Sequence, residues 1–146
     1  MPDQSFLLRL VTPQRLLLAT EATSLQVPGS EGYLGILAHH AALITALRPG
    51  KLEVEDSAGK IASYAVSGGF LEMSSNRATV LADAAEPVLA IDRERAAASL
   101  KRAEERLQSD PGRRGPVEAL DPAESIDRER AQRPRARAKN RIALAP

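Results

Sequence analysis

The sequence contains no cysteine and no tryptophan, and it has only two tyrosines and two phenylalanines among 146 residues. The lack of cysteine excludes disulfides and thiolate metal sites, which fits a reducing compartment. No apolar run approaches the roughly 18 residues of a membrane span, and residues 1 to 5 lack the basic start of a secretory signal. We therefore expect a soluble cytosolic protein whose core is built from leucine, isoleucine, valine and alanine.

Acidic and basic residues are unevenly distributed along the chain. Residues 1 to 86 carry nine Asp and Glu against six Lys and Arg, whereas residues 87 to 146 carry ten against fourteen. The net charge of +1 hides this division. The basic C-terminal segment predicts an acidic partner surface.

Short alternating runs separated by turn residues fill residues 1 to 86. In residues 51 to 55, Leu52 and Val54 alternate with charged residues, which is typical of a half-buried strand. We expect Pro49 and Gly50 to turn the chain, and Gly68 and Gly69 to mark a bend or a close backbone approach. The regular spacing predicts an all-β domain over residues 1–86, an antiparallel sandwich or flattened barrel.

Past Pro87 the period becomes helical. The six residues Ile-Asp-Arg-Glu-Arg-Ala at 91 to 96 return at 126 to 131, which indicates two related helices in a C-terminal domain over residues 87–146. In the first helix the apolar side chains form one stripe that Asp92 can cap: Ala96, Leu100, Ala103 and Leu107. A long loop around residues 109–121 separates the two helices.

The second helix carries weaker signals. Asp121 and Pro122 provide an N-cap and a proline at the first helical position. Pro134 removes a backbone donor at a cost of about 3 kcal/mol in a helix interior. We expect a kink or break near Arg133, followed by an arm that needs a partner to become ordered.

Four segments resemble the epsilon subunit of bacterial F-type ATP synthases. They are Val-Pro-Gly-Ser-Glu-Gly-Tyr-Leu-Gly-Ile-Leu at 27 to 37, Leu-Arg-Pro-Gly at 47 to 50, Ser-Gly-Gly-Phe-Leu-Glu at 67 to 72 and Val-Leu-Ala-Asp at 80 to 83. They occur in the family's order and precede a two-helix C-terminus. The resemblance implies a sandwich of about ten strands and a C-terminal α-helical hairpin.

The resemblance also implies a non-catalytic subunit of the rotor, or central stalk, at the cytoplasmic face of the cell membrane. In that family the sandwich binds the gamma subunit and the ring of c subunits of the proton-translocating motor. The helices can extend toward the catalytic alpha/beta hexamer and inhibit ATP hydrolysis. The family's ring-facing loop corresponds here to Glu31, Gly32 and Tyr33, together with the region of His40.

Some family members bind regulatory ATP through Ile/Leu-Asp-x-x-Arg-Ala, which this chain has as Ile91, Asp92, Arg95 and Ala96. The resemblance extends this nucleotide site to four further residues: Glu86, Arg102, Arg137 and Arg141. Arginines can hold phosphates bidentately. Without a phosphate-cradling Gly-Lys-Ser/Thr loop, binding would regulate rather than hydrolyse. The alternative is a helix start with a capping Asp and solvated arginines.

The basic arm consists of Arg133, Arg135, Arg137 and Arg141. We expect it to meet an acidic segment of the catalytic beta subunit and to contribute to inhibition. A free-standing sandwich adaptor whose arm binds nucleic acid is the alternative. Neither a catalytic constellation nor a metal site is expected: His39 and His40 are adjacent and point to opposite sides of an extended segment. No cofactor is required, and the chain is not expected to insert into a membrane.

Overall fold

The computed structural model describes residues 4–108 and 122–145, with side chains described for residues 4–108 and 133–145. The chain divides into two compact units, a sheet unit of Met1–Ala90 and a helical unit of Ile91–Pro146. No helix within the described residues is long and apolar enough to cross a membrane.

Seven strands form the sheet unit in the part of the chain that the structure describes. They are β1 (Phe6–Val11), β2 (Leu16–Gly29), β3 (Gly32–Leu37), β4 (Leu43–Asp56), β5 (Ile61–Ser74), β6 (Arg77–Ala82) and β7 (Ala85–Pro87). The sheet runs in the order β1-β6-β5-β4-β2-β3, and an additional β1–β2 pairing closes it into a flattened barrel. β7 pairs with β5, and a short 3-10 helix, Val88–Ala90, follows it.

Seven strands are observed where about ten were expected, because three of the strands are long. β2, β4 and β5 each contain 14 residues and each join two runs that the sequence separates. The turn predicted at Pro49 and Gly50 is wrong, because both residues lie inside β4. Gly50 permits this path because a Cβ there would approach Pro28 Cβ to 2.5 Å, so β4 passes too close to β2 for a larger residue.

The expected close backbone approach at Gly68 and Gly69 is confirmed. Both have positive φ, 99° and 122°, and a Cβ on Gly69 would collide with the carbonyl oxygen of Leu81. β5 therefore bends here and still pairs with β4 and β6. All neighbouring strands are antiparallel apart from the parallel β1–β6 pair.

The alternating residues of the strands fill the barrel interior. Its largest fully buried side chains include Phe6, Leu8, Leu10, Leu25, Ile36, Leu52, Leu71 and Met73. Leu52 and Val54 point inward as their alternation predicts. Because aliphatic side chains already fill the interior, a docking surface has to lie outside it.

Two helices, α1 (Arg93–Gln108) and α2 (Pro122–Leu144), form the helical unit. Asp92 caps α1, since its Oδ1 accepts a hydrogen bond from the Arg95 N–H at 3.1 Å. α2 begins at Pro122 and continues through Pro134, so of the kink or break predicted near Arg133 the break is wrong, and the kink stays a prediction. α2 packs against α1, and after the proline Ala138 is buried and Arg135 pairs with Glu104 of α1, which supports the helix there. The loop predicted over 109–121 lies outside the described residues.

Candidate partner-docking surface

The β2–β3 turn holds Glu31 and Gly32 at the end of a tight hairpin. Gly29 pairs with Gly32, and a Cβ on Gly29 would approach the Gly32 carbonyl oxygen to 2.8 Å. The Ser30 N–H donates to the Ala46 carbonyl at 3.0 Å, which fastens the turn to β4. Glu31 is exposed at the tip. Backbone contacts therefore fix the turn and leave its carboxylate facing solvent.

Tyr33 follows the turn and rests on the middle of β4. Its hydroxyl oxygen accepts a hydrogen bond from the Lys51 N–H at 3.3 Å, while about half of the side chain stays exposed. Lys51 Nζ forms an ion pair with Glu53 at 2.8 Å. The hydrogen bond to Glu53 raises the pKa of Lys51 above its ordinary value, and the charge of that carboxylate adds to the effect. The phenol ring thus has a fixed position with an exposed face.

An open pocket of about 520 Å³ connects the turn to the start of β4. Glu31, Gly32 and Tyr33 line it together with Ile44 and Ala46. The structure therefore brings three of the four predicted partner-binding residues together. His40 is not among the residues that line the pocket.

His40 lies in the β3–β4 loop, residues 38 to 42. The preceding residue, His39, has a φ of 62°, and its N–H donates to Asn76 Oδ1 at 2.8 Å. The His40 ring lies with Nδ1 2.8 Å from the carbonyl oxygen of Ala41, so Nδ1 carries the proton and donates. Local hydrogen bonds thus define both histidines, and the described residues contain no group of three potential metal ligands.

A row of apolar side chains, here called the apolar row, crosses the outer surface of the barrel. Each member is the register partner of the next, so all point to the same face. Its members are Leu16 on β2, Val11 on β1, Leu81 on β6, Phe70 on β5 and Ala46 on β4. Phe70 and Leu81 are 57% and 51% exposed. Ile44, two residues before Ala46 on the same face, is 76% exposed and joins the row to the pocket.

Sequence reasoning missed the apolar row. The runs at 43–47, 70–73 and 78–82 contain apolar residues on both faces, which could have signalled it. What the sequence could not provide is the register that aligns Leu81 with Phe70 and Phe70 with Ala46. Only the paired strands turn separate exposed residues into one continuous surface.

The predicted nucleotide-site residues are divided between the two units. Glu86 lies in β7 of the sheet unit, and the others lie in the helical unit. There Ile91 and Ala96 are buried and contribute to packing, while Asp92 caps α1. The side chains of Arg95, Arg102 and Arg137 are exposed, and Arg141 is half-buried.

Arg135, a member of the basic arm, contacts α1. Arg135 Nε lies 3.4 Å from Glu104 Oε1, and both side chains are partly exposed. Arg133 and Arg137 are exposed on α2. The arm therefore presents guanidinium groups to solvent while one of its arginines links the two helices.

A family model described as the ATP synthase delta/epsilon chain, beta-sandwich domain, matches residues 5–88. The chain is 48% identical to the ATP synthase epsilon chain of Desulforamulus reducens over 102 residues, 70% of this chain and 76% of the relative. It is 46% identical to that of Pelotomaculum thermopropionicum, over 73% of this chain and 79% of the relative.

Two solved structures are also similar. One comes from the Euglena gracilis mitochondrial ATP synthase, a structure of OSCP, F1 and c-ring, with a TM-score of 0.66 and 27% identity over 89% of this chain and 76% of that one. The other, from the Tetrahymena thermophila mitochondrial ATP synthase, has a TM-score of 0.54 over 97% and 94% of the two chains, and at 17% identity it supports the fold alone. The chain belongs to the ATP synthase epsilon-chain family.

Proposed function

We propose that the chain is a non-catalytic subunit of the ATP synthase central stalk. The sheet unit docks on the gamma subunit and the c ring, and the helical unit regulates ATP hydrolysis. This role places the chain peripherally, at the cytoplasmic face of the cell membrane. Family membership and the similarity to a chain of the Euglena F1 and c-ring assembly support the proposal.

The observation that carries the docking proposal is the apolar row and its junction with the β2–β3 turn. Other side chains fill the barrel interior, and none of the members of the apolar row belongs to that core. Phe70 and Leu81 are about half exposed, so covering one of them contributes roughly half of the 1.5 to 3 kcal/mol of a complete burial, before the costs of association. The adjoining Glu31 and Tyr33 add polar groups at the rim, an arrangement that suits a protein partner.

Replacing Phe70 by lysine tests this docking surface. Binding of the full chain to an immobilised ATP synthase complex depleted of this chain should weaken by about 30-fold, which corresponds to about 2 kcal/mol at a central apolar contact. Ile61→Lys is the matched control, because Ile61 is 64% exposed on β5 but pairs with Glu55, away from the apolar row. Equal binding by both variants would contradict docking through the row.

The inhibitory part of the proposal rests on the charge of α2. Arg133 and Arg137 are exposed and Arg135 is partly exposed, so their positive charges suit an acidic segment of the catalytic beta subunit. Truncation after Asp110 removes the arm and should raise ATPase activity of the reconstituted complex. Arg133→Gln with Arg137→Gln should reproduce part of that rise. Unchanged activity after truncation would count against an inhibitory role.

We also propose that regulatory ATP binds weakly to the helical unit, through two exposed arginines of α1: Arg95 in its first turn and Arg102 seven residues later. Titrating the full chain with millimolar ATP should shift the amide signals of residues 92 to 103. Arg102→Ala should abolish the shift, whereas Arg106→Ala, one turn later on α1, should retain it. Absence of any response at millimolar ATP would rule out the nucleotide site.

A further inference from the structure

The β5–β6 turn is a strained two-residue connection. Ser75 and Asn76 both have positive φ, 48° and 56°, between the end of β5 at Ser74 and the start of β6 at Arg77. Two successive positive φ values match the type I′ turn that suits the twist of a hairpin. Asn tolerates this conformation better than most residues, so backbone geometry alone favours Asn76.

Asn76 also joins three separate segments. Its Nδ2 donates to the Ser5 carbonyl at 2.8 Å, its Oδ1 accepts from the His39 N–H at 2.8 Å, and its carbonyl accepts from the Leu7 N–H at 3.2 Å. A donor on one side and an acceptor on the other fix the orientation of the amide. The β5–β6 turn is thereby connected to the start of β1 and to the β3–β4 loop.

The bond to His39 is the one that affects the docking surface. His39 has a positive φ of 62°, which is uncommon for a residue with a side chain and needs support from its surroundings. The loop that contains it carries His40 and leads into Leu43, where β4 begins, next to Ile44. The hydrogen bond from the His39 N–H to Asn76 therefore helps to set the path of the chain toward Ile44, which joins the apolar row to the pocket.

We infer that Asn76 is a positioning residue: its side-chain Oδ1 holds the β3–β4 loop in the conformation that docks on the partner subunits. The inference rests on the proposed function, because it assigns Asn76 a role in docking in addition to its role in the β5–β6 turn. Asn76 itself need not touch a partner subunit. It acts through His39 and the backbone that leads to Ile44.

Three variants separate this role from turn formation. Asn76→Gly retains the turn, since glycine adopts positive φ freely, but removes both side-chain bonds. Asn76→Asp retains an acceptor for His39 and loses the bond to Ser5. Ser75→Gly is the matched control, because Ser75 occupies the same turn with positive φ and is exposed.

We expect hydrogen exchange of the His39 amide to be about tenfold faster in Asn76→Gly, the effect of losing one hydrogen bond, and binding to the depleted complex to be about tenfold weaker. Asn76→Asp should restore both values, and Ser75→Gly should leave both unchanged. Faster His39 exchange with undiminished binding of Asn76→Gly would overturn the inference, as would failure of Asn76→Asp to restore binding. Failure of the unsubstituted chain to bind would instead overturn the proposed function.

Discussion

The sheet unit and the helical unit differ in the size of the side chains that they bury. Large residues such as Phe6, Leu52, Leu71 and Met73 fill the barrel, each at most 2% exposed. In the described part of the helical unit the buried side chains are Ile91, Ala96, Ala103 and Ala138. Because burial stabilises in proportion to the apolar area removed from water, each of these alanines contributes much less than a leucine.

This difference suits the two proposed tasks, docking by the sheet unit and regulation by the helical unit. A barrel closed by the β1–β2 pairing and filled by large side chains keeps one shape, as a docking platform requires. Among the side chains described in the helical unit, those that α1 and α2 bury are alanines, and the ion pair between them is partly exposed, so we expect the helices to separate at a low free-energy cost. The contrast predicts that substitutions in the sheet unit change the free energy of unfolding of the barrel, whereas those in the helical unit change only the stability of the two helices.

The largest effect is expected from Leu52→Ala in the barrel. Leu52 is fully buried, so its truncation should lower the free energy of unfolding of the sheet unit by about 3 kcal/mol through lost burial and a residual cavity. Urea denaturation followed by tyrosine fluorescence measures this unit selectively, because both tyrosines, Tyr33 and Tyr64, lie in it. Leu37→Ala, at a position 62% exposed, is the control and should change the value by less than about 0.5 kcal/mol. Equal losses in both variants would contradict a rigid barrel core.

A smaller effect, of opposite sign, is expected from Pro134→Ala in α2. The substitution restores a backbone donor inside the helix and should stabilise the helical unit by about 2 kcal/mol, below the roughly 3 kcal/mol of a fully unfavourable proline. Thermal melting followed by ellipticity at 222 nm should shift upward, while the tyrosine signal should not change.

Pro122→Ala provides the control for the proline, because α2 begins at this residue and proline is tolerated at a first helical position. It should leave the melting curve nearly unaltered. An unchanged melting curve for Pro134→Ala would mean that α2 accommodates the proline without cost, and the contrast between the units would then rest on packing alone.

Local sequence patterns predicted much of the fold but did not predict the proposed docking surface. Alternation placed Leu52 and Val54 inward, and the position of Asp92 before the apolar stripe predicted its cap. The turn predicted at Pro49 and Gly50 is wrong because the usual preference of these residues for turns gives way to the pairing of β4 on both sides.

Of the kink or break expected near Arg133, the break is absent for a related reason. Propensity assigns Pro134 a cost, but contacts with α1 decide whether the helix continues. The bond between Asn76 and His39 joins residues 37 positions apart, and the apolar row depends on register across five strands. Such relations depend on tertiary structure, and a single sequence without paired strands does not contain them.

The smallest effect, and the sharpest comparison, comes from the Glu104–Arg135 ion pair. A double-mutant cycle with Glu104→Gln and Arg135→Gln should give a coupling free energy of about 0.5 kcal/mol, since both side chains are partly exposed. Lys51–Glu53 is a matched pair in the sheet unit with similar exposure and an N–O distance of 2.8 Å, and its cycle should give a comparable value.

The two cycles should nevertheless have different consequences for the protein. In the barrel, about 0.5 kcal/mol is small beside what the leucine core contributes, so removing Lys51–Glu53 should leave the tyrosine-detected unfolding nearly unchanged. In the helical unit the same energy is a larger share of the total, so removing the Glu104–Arg135 pair should visibly lower the melting temperature measured at 222 nm. Because salt screens ion pairs, the melting temperature of the double variant should depend least on salt concentration. If both units responded alike, the helical unit would have to draw stability from contacts other than its buried alanines.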